Sequence, residues 1–314
     1  MDYSILALGA LEQGLIYSLL AVGVFVSLRI LDIPDLTVDG SFITGSAVSV
    51  MITQLAPEGG ASALIPALSL PAALAAGALA GICTGLIHTK LKVQPLLAGI
   101  ITMTGLFSIN LLVLNEKPTV SINGRPGIFS VLYDLFSVNP TTRKIVAAAL
   151  LLVIVALVAA LLTVFLKTQL GLAIRATGDN EDMVRASSID SDNMKIIGLA
   201  IANGIVALSG AVLAQHQNFA DAKAGTGMVV VGIASIIIGE TLFGKRSVFN
   251  SLLSAIGGAL AYRIFIAVVL QLGLKASYFK LLSAVIIIIS ILIPIASKSI
   301  AERRAKEAKN NADD

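Results

Sequence analysis

The chain has 314 residues, of which 56% are hydrophobic and 13% are charged, and its mean hydropathy is +0.92. Soluble domains carry about 25% charged residues, so this composition excludes a soluble globular protein. The net charge is only +3, and the chain has 5% aromatic residues and no Trp. Nucleic acid is therefore not expected as a partner. One cysteine and two histidines also argue against a metal cluster or a Cys–His catalytic pair, so we expect neither an enzyme nor a cofactor site.

Nine apolar runs predict the membrane crossings. Residues 145–166 contain no charged side chain, and at about 1.5 Å per residue they cover a hydrocarbon core of roughly 30 Å. We therefore expect them to form a spanning helix. Eight less pure runs lie at about 10–30, 36–54, 63–89, 94–115, 194–217, 228–244, 248–272 and 279–297.

The second of these runs is the one whose crossing is in question. Asp35, Asp39 and Gly40 interrupt its start, which is also typical of a half-helix or re-entrant segment in a protein-lined cavity. The predicted fold is thus an all-α polytopic membrane protein with eight to nine transmembrane helices. These helices form a permease domain over residues 1–297, followed by a charged cytoplasmic tail over residues 298–314.

The distribution of basic residues predicts the orientation. Lys and Arg are retained in cytoplasmic loops, and nine crossings with the C-terminus inside place fourteen of them on the inner side and seven on the outer side. The N-terminus is then outside.

Two loops are long enough to have their own structure. The outer one, about 116–143, is rich in Pro and Gly, which favours an ordered extracellular cap, and the inner one, about 167–193, is polar.

Two stripes of small residues predict close helix packing. Gly77, Gly81 and Gly85 recur every four residues in the third run, and the second run has Ser41, Gly45 and Ser49 at the same spacing. Small side chains let helix backbones approach closely in lipid. The stripes can serve packing within one subunit, which we favour, or an interface between subunits.

Ionisable residues inside apolar runs are candidates for function, because an unpaired charge in hydrocarbon costs at least about 2.5 kcal/mol. Asp39, Glu240 and Arg263 are of this kind. They could line a polar translocation path. Alternatively, Glu240 is solvated at the cytoplasmic end, and Arg263 is held by a carboxylate or by helix-end carbonyl groups. Among the carboxylates, Asp39 is the preferred partner and Glu240 the second. The candidate path residues are Asp39, Ser41, Thr44, Thr102, Thr104, Asn110, Asn203, Glu240 and Arg263.

The inner loop contains the most informative local pattern. Gly178, Asp179 and Asn180 favour a turn and a helix cap, and Glu181 then falls in the first turn, where a negative charge suits the helix dipole. A short capped helix at the cytoplasmic face could seat in a groove of a soluble partner. Residue chemistry alone is equally compatible with a plain connecting loop.

This loop resembles the cytoplasmic coupling segment of ATP-binding-cassette importer permeases of the branched-chain amino acid and ribose type. The matching residues are Gly171, Arg175, Ala176, Gly178, Asn180, Glu181 and Ile189. Ser188 stands at the usual Gly position, where a β-carbon should stiffen or shift the turn. The stretches 36–45 and 232–244 are similar to two further family segments, although Glu240 replaces a Gly. The likeness covers about residues 10–297 and is closest to a branch associated with aromatic amino acid uptake.

The resemblance implies a complete transport assembly in a bacterial inner membrane. It implies two permease copies as a homodimer, two cytoplasmic ATP-binding subunits, and an extracytoplasmic binding protein that delivers an amino acid or similar solute. The chain itself has no Gly-x-x-x-x-Gly-Lys-Ser/Thr phosphate loop, so a separate subunit must hydrolyse ATP. The residues implied in coupling to it are Gly171, Arg175, Gly178, Asp179, Asn180, Glu181 and Ile189.

An ion-coupled secondary transporter is the alternative function. Such a transporter needs a coupling carboxylate at a broken helix near the bilayer midplane, and Asp39 could serve in that role. The sequence does not identify the solute in either case.

Overall fold

The computed structural model describes residues 3–58, 64–122, 124–136, 139–245 and 247–271, with five further positions in the last apolar run. The described part is almost entirely helical. Its elements are α1 Tyr3–Phe25, which continues into a π-helical turn Val26–Ile30, then α2 Thr37–Thr53, α3 Leu64–Thr89, α4 Pro95–Val113, β1 Thr119–Ser121, α5 Ile128–Phe136, α6 Pro140–Phe165, α7 Gln169–Asp179, α8 Glu181–Ala186, α9 Ser191–Gln217, β2 Phe219–Asp221, α10 Met228–Phe243 and α11 Val248–Gln271.

Six of the described helices are long and apolar enough to cross a membrane: α1 with its π-helical turn, α3, α4, α6, α9 and α11. The helices α2 and α10 have 17 and 16 residues and reach about 25 Å, less than a hydrocarbon core of roughly 30 Å. The described residues therefore give six long spans, with the shorter helices α2 and α10 at two further runs, and they do not confirm the expected eight to nine crossings. The ninth run is described at only five positions, and the predicted tail lies outside the described residues.

Helix α9 lies at the centre of the bundle and packs against α1, α2 and α3. A β-carbon on Gly77 or Gly81 of α3 would collide with the backbone of α9, and so would one on Gly45 of α2. Ser49 of α2 accepts a hydrogen bond from Gln215 of α9 at 3.1 Å. Both small-residue stripes therefore face α9 within one subunit, and they give no support to an interface between subunits.

The outer loop is folded, as its turn residues predict, but it also contains structure that the sequence did not predict. Strand β1 pairs antiparallel with β2, with Val120 opposite Ala220, so the described part is not purely helical. The side chain of Gln54, just after α2, donates a hydrogen bond to the carbonyl oxygen of Ser121 at 3.0 Å. Arg125 Nη1 donates to the carbonyl oxygen of Ala56, also at 3.0 Å. These contacts fix the loop over the outer end of α2.

Candidate functional site

The inner loop forms two helices with side-chain caps. Thr168 Oγ1 accepts a hydrogen bond from the amide of Gly171 at 3.2 Å and caps α7. Asn180 Oδ1 accepts one from the amide of Met183 at 3.0 Å and caps α8. Helix α8 is thus the short capped helix that the sequence predicts, whereas Asp179 closes α7 instead of lying in a free turn.

Glycine allows α7 to lie directly on the membrane helices. A β-carbon on Gly171 would collide with the backbone of Phe165 and Leu166, and one on Gly178 would collide with the carbonyl oxygen of Ile30. Ile30 is the last residue of the π-helical turn that ends α1. Any displacement of α7 therefore acts on the end of α1.

Glu181 joins α8 to α9. Its carboxylate accepts hydrogen bonds from Lys195 Nζ at 2.6 Å, Arg185 Nη2 at 2.7 Å and Ser191 Oγ at 3.1 Å. The hydrogen bond from Lys195 is the largest influence on Glu181 and lowers the pKa of its carboxyl group, against a smaller opposing effect of burial. Glu181 consequently holds α8 in place through its bonds within this chain.

The remaining residues of the segment form an exposed face. Val184 is buried and anchors α8, whereas Met183 and Leu172 are 54% and 51% exposed. Ile189 is also exposed. Ser188 adopts a φ of 61°, in the left-handed region that glycine enters without steric cost. This explains why the family pattern has Gly at that position.

Arg175 and Glu240 lie together at the inner side, away from that exposed face. Both line a cavity of about 360 Å³ together with Arg29 and Lys245. Arg29 Nη2 donates a hydrogen bond to Glu240 Oε2 at 2.6 Å, and Lys245 Nζ lies 3.9 Å from the same oxygen. The structure therefore places Glu240 near the C-terminal end of α10 within an ion-pair cluster. The Glu240 side chain is 12% exposed, so it is paired and not freely solvated, and its part in the translocation path stays a prediction.

A buried polar network crosses the centre of the bundle. Asn203 Nδ2 donates to Asp35 Oδ2 at 2.6 Å, and Ser41 Oγ donates to Asn203 Oδ1 at 2.6 Å. Asp35 Oδ1 also accepts a hydrogen bond from the amide of Thr37, the first residue of α2, at 2.8 Å. Two predicted path residues, Ser41 and Asn203, thus meet. Asp35 was noted only as an interruption of the run, although an acidic residue just before a helix start was a usable signal.

Three other predicted path residues form bonds within their own helices, and a fourth, Asn110, bonds to a neighbouring helix. The hydroxyl groups of Thr44, Thr102 and Thr104 donate to carbonyl oxygens four residues earlier in their own helices, at 3.0, 3.0 and 2.8 Å. Asn110 Nδ2 of α4 donates to the carbonyl oxygen of Gly40 of α2 at 3.2 Å. Three of the four are buried, and Thr104 is exposed on α4.

Asp39 connects the starts of the two short helices. It lies in the first turn of α2, and its two carboxylate oxygens accept hydrogen bonds from the amides of Gly227 and Val229, at the start of α10, at 2.8 Å each. It also lines a cavity of about 270 Å³ whose wall includes Met103 and Phe107 of α4. Of the predicted path residues, Asp39 and Thr104 line this cavity.

Arg263 of α11 packs on an aromatic ring. Its guanidinium carbon lies 3.5 Å from the centroid of Tyr17 of α1. The pairing of Arg263 with Asp39 stays a prediction.

A further contact that the sequence did not predict joins α1 and α9, where His216 Nε2 is 3.4 Å from Glu12 Oε2. Neither residue carried a local pattern that would have indicated the other.

Comparisons with known proteins identify the family of the chain. Residues 6–291 match the family described as the branched-chain amino acid transport system permease component. The chain is 36% identical to a tyrosine transport system permease protein of Clostridioides difficile over 90% of this chain and 88% of that protein. It is 27% identical to the ribose import permease protein of Escherichia coli K12, over 90% and 83% of the two chains. No solved structure matches it. The chain therefore belongs to the branched-chain amino acid and ribose type of importer permeases.

Proposed function

We propose that this permease is the transmembrane subunit of an ATP-driven importer in a bacterial inner membrane. Two copies form the translocation path, two cytoplasmic ATP-binding subunits drive it, and an extracytoplasmic binding protein delivers the solute. The observation that carries the proposal is the α7–α8 segment. It is a folded, capped pair of helices with exposed apolar side chains.

The contacts of this segment suggest how the ATPase acts on the path. Gly178 rests on the end of α1, and Glu181 ties α8 to Lys195 of α9. Helix α9 in turn holds Asn203, which is bonded to Asp35 and Ser41. A movement imposed on α7 and α8 by the ATP-binding subunits is therefore transmitted to the two helices that surround the start of α2. Such a segment can bias a two-state gate from a distance.

The solute is an amino acid in this proposal. Asp39 offers a carboxylate to the ammonium group of an amino acid, and Met103 and Phe107 offer an apolar wall in the same cavity. A relative that shares 36% identity is named a tyrosine transport permease, which supports an apolar or aromatic side chain. The amides of Gly227 and Val229 at the start of α10 hold the Asp39 carboxylate at this cavity.

The test is association with the ATP-binding subunit and ATP-dependent uptake in proteoliposomes. Replacing Met183 with Asp should weaken capture of the ATP-binding subunit about tenfold, as for a central apolar contact. Solute-stimulated ATP hydrolysis should fall with it. Leu55→Asp is the matched control, since Leu55 is 76% exposed near the outer end of α2. Uptake that depends on an ion gradient and does not require ATP would instead support a secondary transporter.

A further inference from the structure

The cavity at the inner end of α1, α10 and α11 has a composition that the coupling role does not explain. Its volume is about 360 Å³, and its lining includes the basic residues Arg29, Arg175 and Lys245 and the hydroxyl groups of Ser247 and Ser251. The lining contains one carboxylate, that of Glu240. Three basic groups and one acidic group leave the lining with an excess of two positive charges.

The contacts between described residues leave part of this positive charge uncompensated. Glu240 already accepts from Arg29 at 2.6 Å and lies 3.9 Å from Lys245. Among the residues that the structure describes, Arg175 makes no hydrogen bond or ion pair through its guanidinium group. A guanidinium fork and hydroxyl donors around a cavity match the oxygens of a phosphate group.

The surroundings of the cavity are apolar. Phe243 at the end of α10 is 57% exposed, and Phe249 and Leu253 in α11 are 51% and 45% exposed. A basic pocket between helices on the cytoplasmic side, next to lipid-facing apolar side chains, has the properties of a site for anionic lipid headgroups. A soluble phosphate compound would meet the same basic groups but would leave the apolar side chains uncovered.

We propose that this cavity binds a phosphate-bearing anion, with the headgroup of an anionic phospholipid of the inner leaflet as its source. The phosphate oxygens contact Arg175 and Lys245, and the acyl chains lie along α10 and α11. Occupancy fixes Arg175 of α7 against the ends of α1 and α10. The anion therefore stabilises the position of the coupling segment relative to the membrane helices, independently of which solute is transported.

The test is a titration of the purified full-length permease with phosphatidylglycerol and with phosphatidylcholine, followed by native mass spectrometry. We expect tighter binding of phosphatidylglycerol. Arg175→Gln and Lys245→Gln should each weaken it about fivefold, the effect of one basic residue near an anionic surface. Lys167→Gln, which removes an exposed basic residue of the same loop outside this cavity, should leave it unchanged. Arg175→Lys keeps the charge and should restore most of the binding.

A second arm separates the sources of phosphate. Inorganic phosphate that binds with the same variant dependence, while phosphatidylglycerol binds no better than phosphatidylcholine, would assign the site to a soluble phosphate. Lipid and phosphate binding unaffected by both Gln variants would overturn the proposal. If the two Gln variants keep lipid and phosphate binding but no longer bind the ATP-binding subunit, the cavity would be assigned to that subunit instead. If Arg175→Gln fails to fold, Lys245→Gln still tests the proposal alone, because the Lys245 side chain is exposed.

Discussion

Asn203, near the middle of α9, donates a hydrogen bond to the carboxylate of Asp35 at 2.6 Å. Asp35 precedes α2 and is 5% exposed. Because α2 begins beside the centre of α9, the chain re-enters the bundle after α1 and starts a new helix at depth. A buried carboxylate there requires donors, and Asn203 and the amide of Thr37 supply them. The start of α2 is thus joined to the central helix through Asp35.

Replacing Asn203 with Leu should reduce the free energy of unfolding by about 1–3 kcal/mol, because the Asp35 carboxylate then loses a buried donor. Thermal unfolding of the purified protein in detergent measures the loss. Thr104→Val is the control, since it removes only a bond within α4 at an exposed position and should change stability by less than about 0.5 kcal/mol. Equal losses in the two variants would contradict a special role for the Asn203–Asp35 bond.

A second prediction concerns the contact between α3 and α9. A β-carbon on Gly81 would collide with the carbonyl oxygen of Leu199, so Gly81→Ala should destabilise the protein by about 1–3 kcal/mol. Gly105 of α4 has nothing within 4 Å of the position of a β-carbon. Gly105→Ala should therefore be neutral or stabilise by up to about 1 kcal/mol, from helix propensity. Unfolding temperatures of the two variants give the comparison, and a harmless Gly81→Ala would refute the close contact.

Most helix positions could be predicted from the sequence because charged and turn residues flank the apolar runs. The run at 63–89 corresponds to α3, Leu64–Thr89. The run at 145–166 is part of a longer helix that begins at Pro140, because Pro is favoured in the first turn of a helix. The polar residues between Pro140 and the apolar run are helical too, but a search for apolar residues leaves them out. The contact that joins the starts of α2 and α10 was not predictable, since Asp39 and Gly227 are far apart in sequence.

The site was predictable only where its signal is local. Asn180 and Glu181 could be placed because a cap and an acidic first turn are adjacent in sequence. Asp35 and Asn203 are 168 residues apart, and no periodicity relates them. The same holds for Glu12 and His216. Glu181 lies in the first turn of α8 as expected, its carboxylate also binds Lys195 of α9, and its part in coupling stays a prediction.

Glu181 makes the stability of the coupling segment sensitive to acid. Its pKa is lowered in the folded protein from an ordinary value of 4.5. The stabilisation is therefore present at neutral pH and is lost as the pH falls through the folded-state pKa. Hydrogen exchange of the α8 amides, corrected for intrinsic rates, should accelerate in that acid range. Glu181→Gln should raise exchange already at pH 7 and abolish the acid dependence, whereas Asp182→Asn, at an exposed neighbour, should do neither.

The last prediction concerns the charge of Arg263. A guanidinium group stays ionised inside the bundle, and its stacking on Tyr17 at 3.5 Å contributes about 1–2 kcal/mol when desolvated. The sequence analysis also proposes Asp39, whose oxygens accept the amides of Gly227 and Val229, as its electrostatic partner.

Two double-mutant cycles separate these contributions. Arg263→Ala combined with Tyr17→Leu should show a coupling energy of about 1 kcal/mol. Arg263→Ala combined with Asp39→Asn should show about 1 kcal/mol or more, because neutralising Asp39 removes the charge that Arg263→Ala leaves unpaired. Thermal unfolding of the single and double variants measures both couplings. Additive effects of the Asp39 and Arg263 substitutions would exclude that pair. Asp39 would then act on the start of α10 alone, since its two oxygens accept hydrogen bonds from the amides of Gly227 and Val229 whether or not Arg263 is charged.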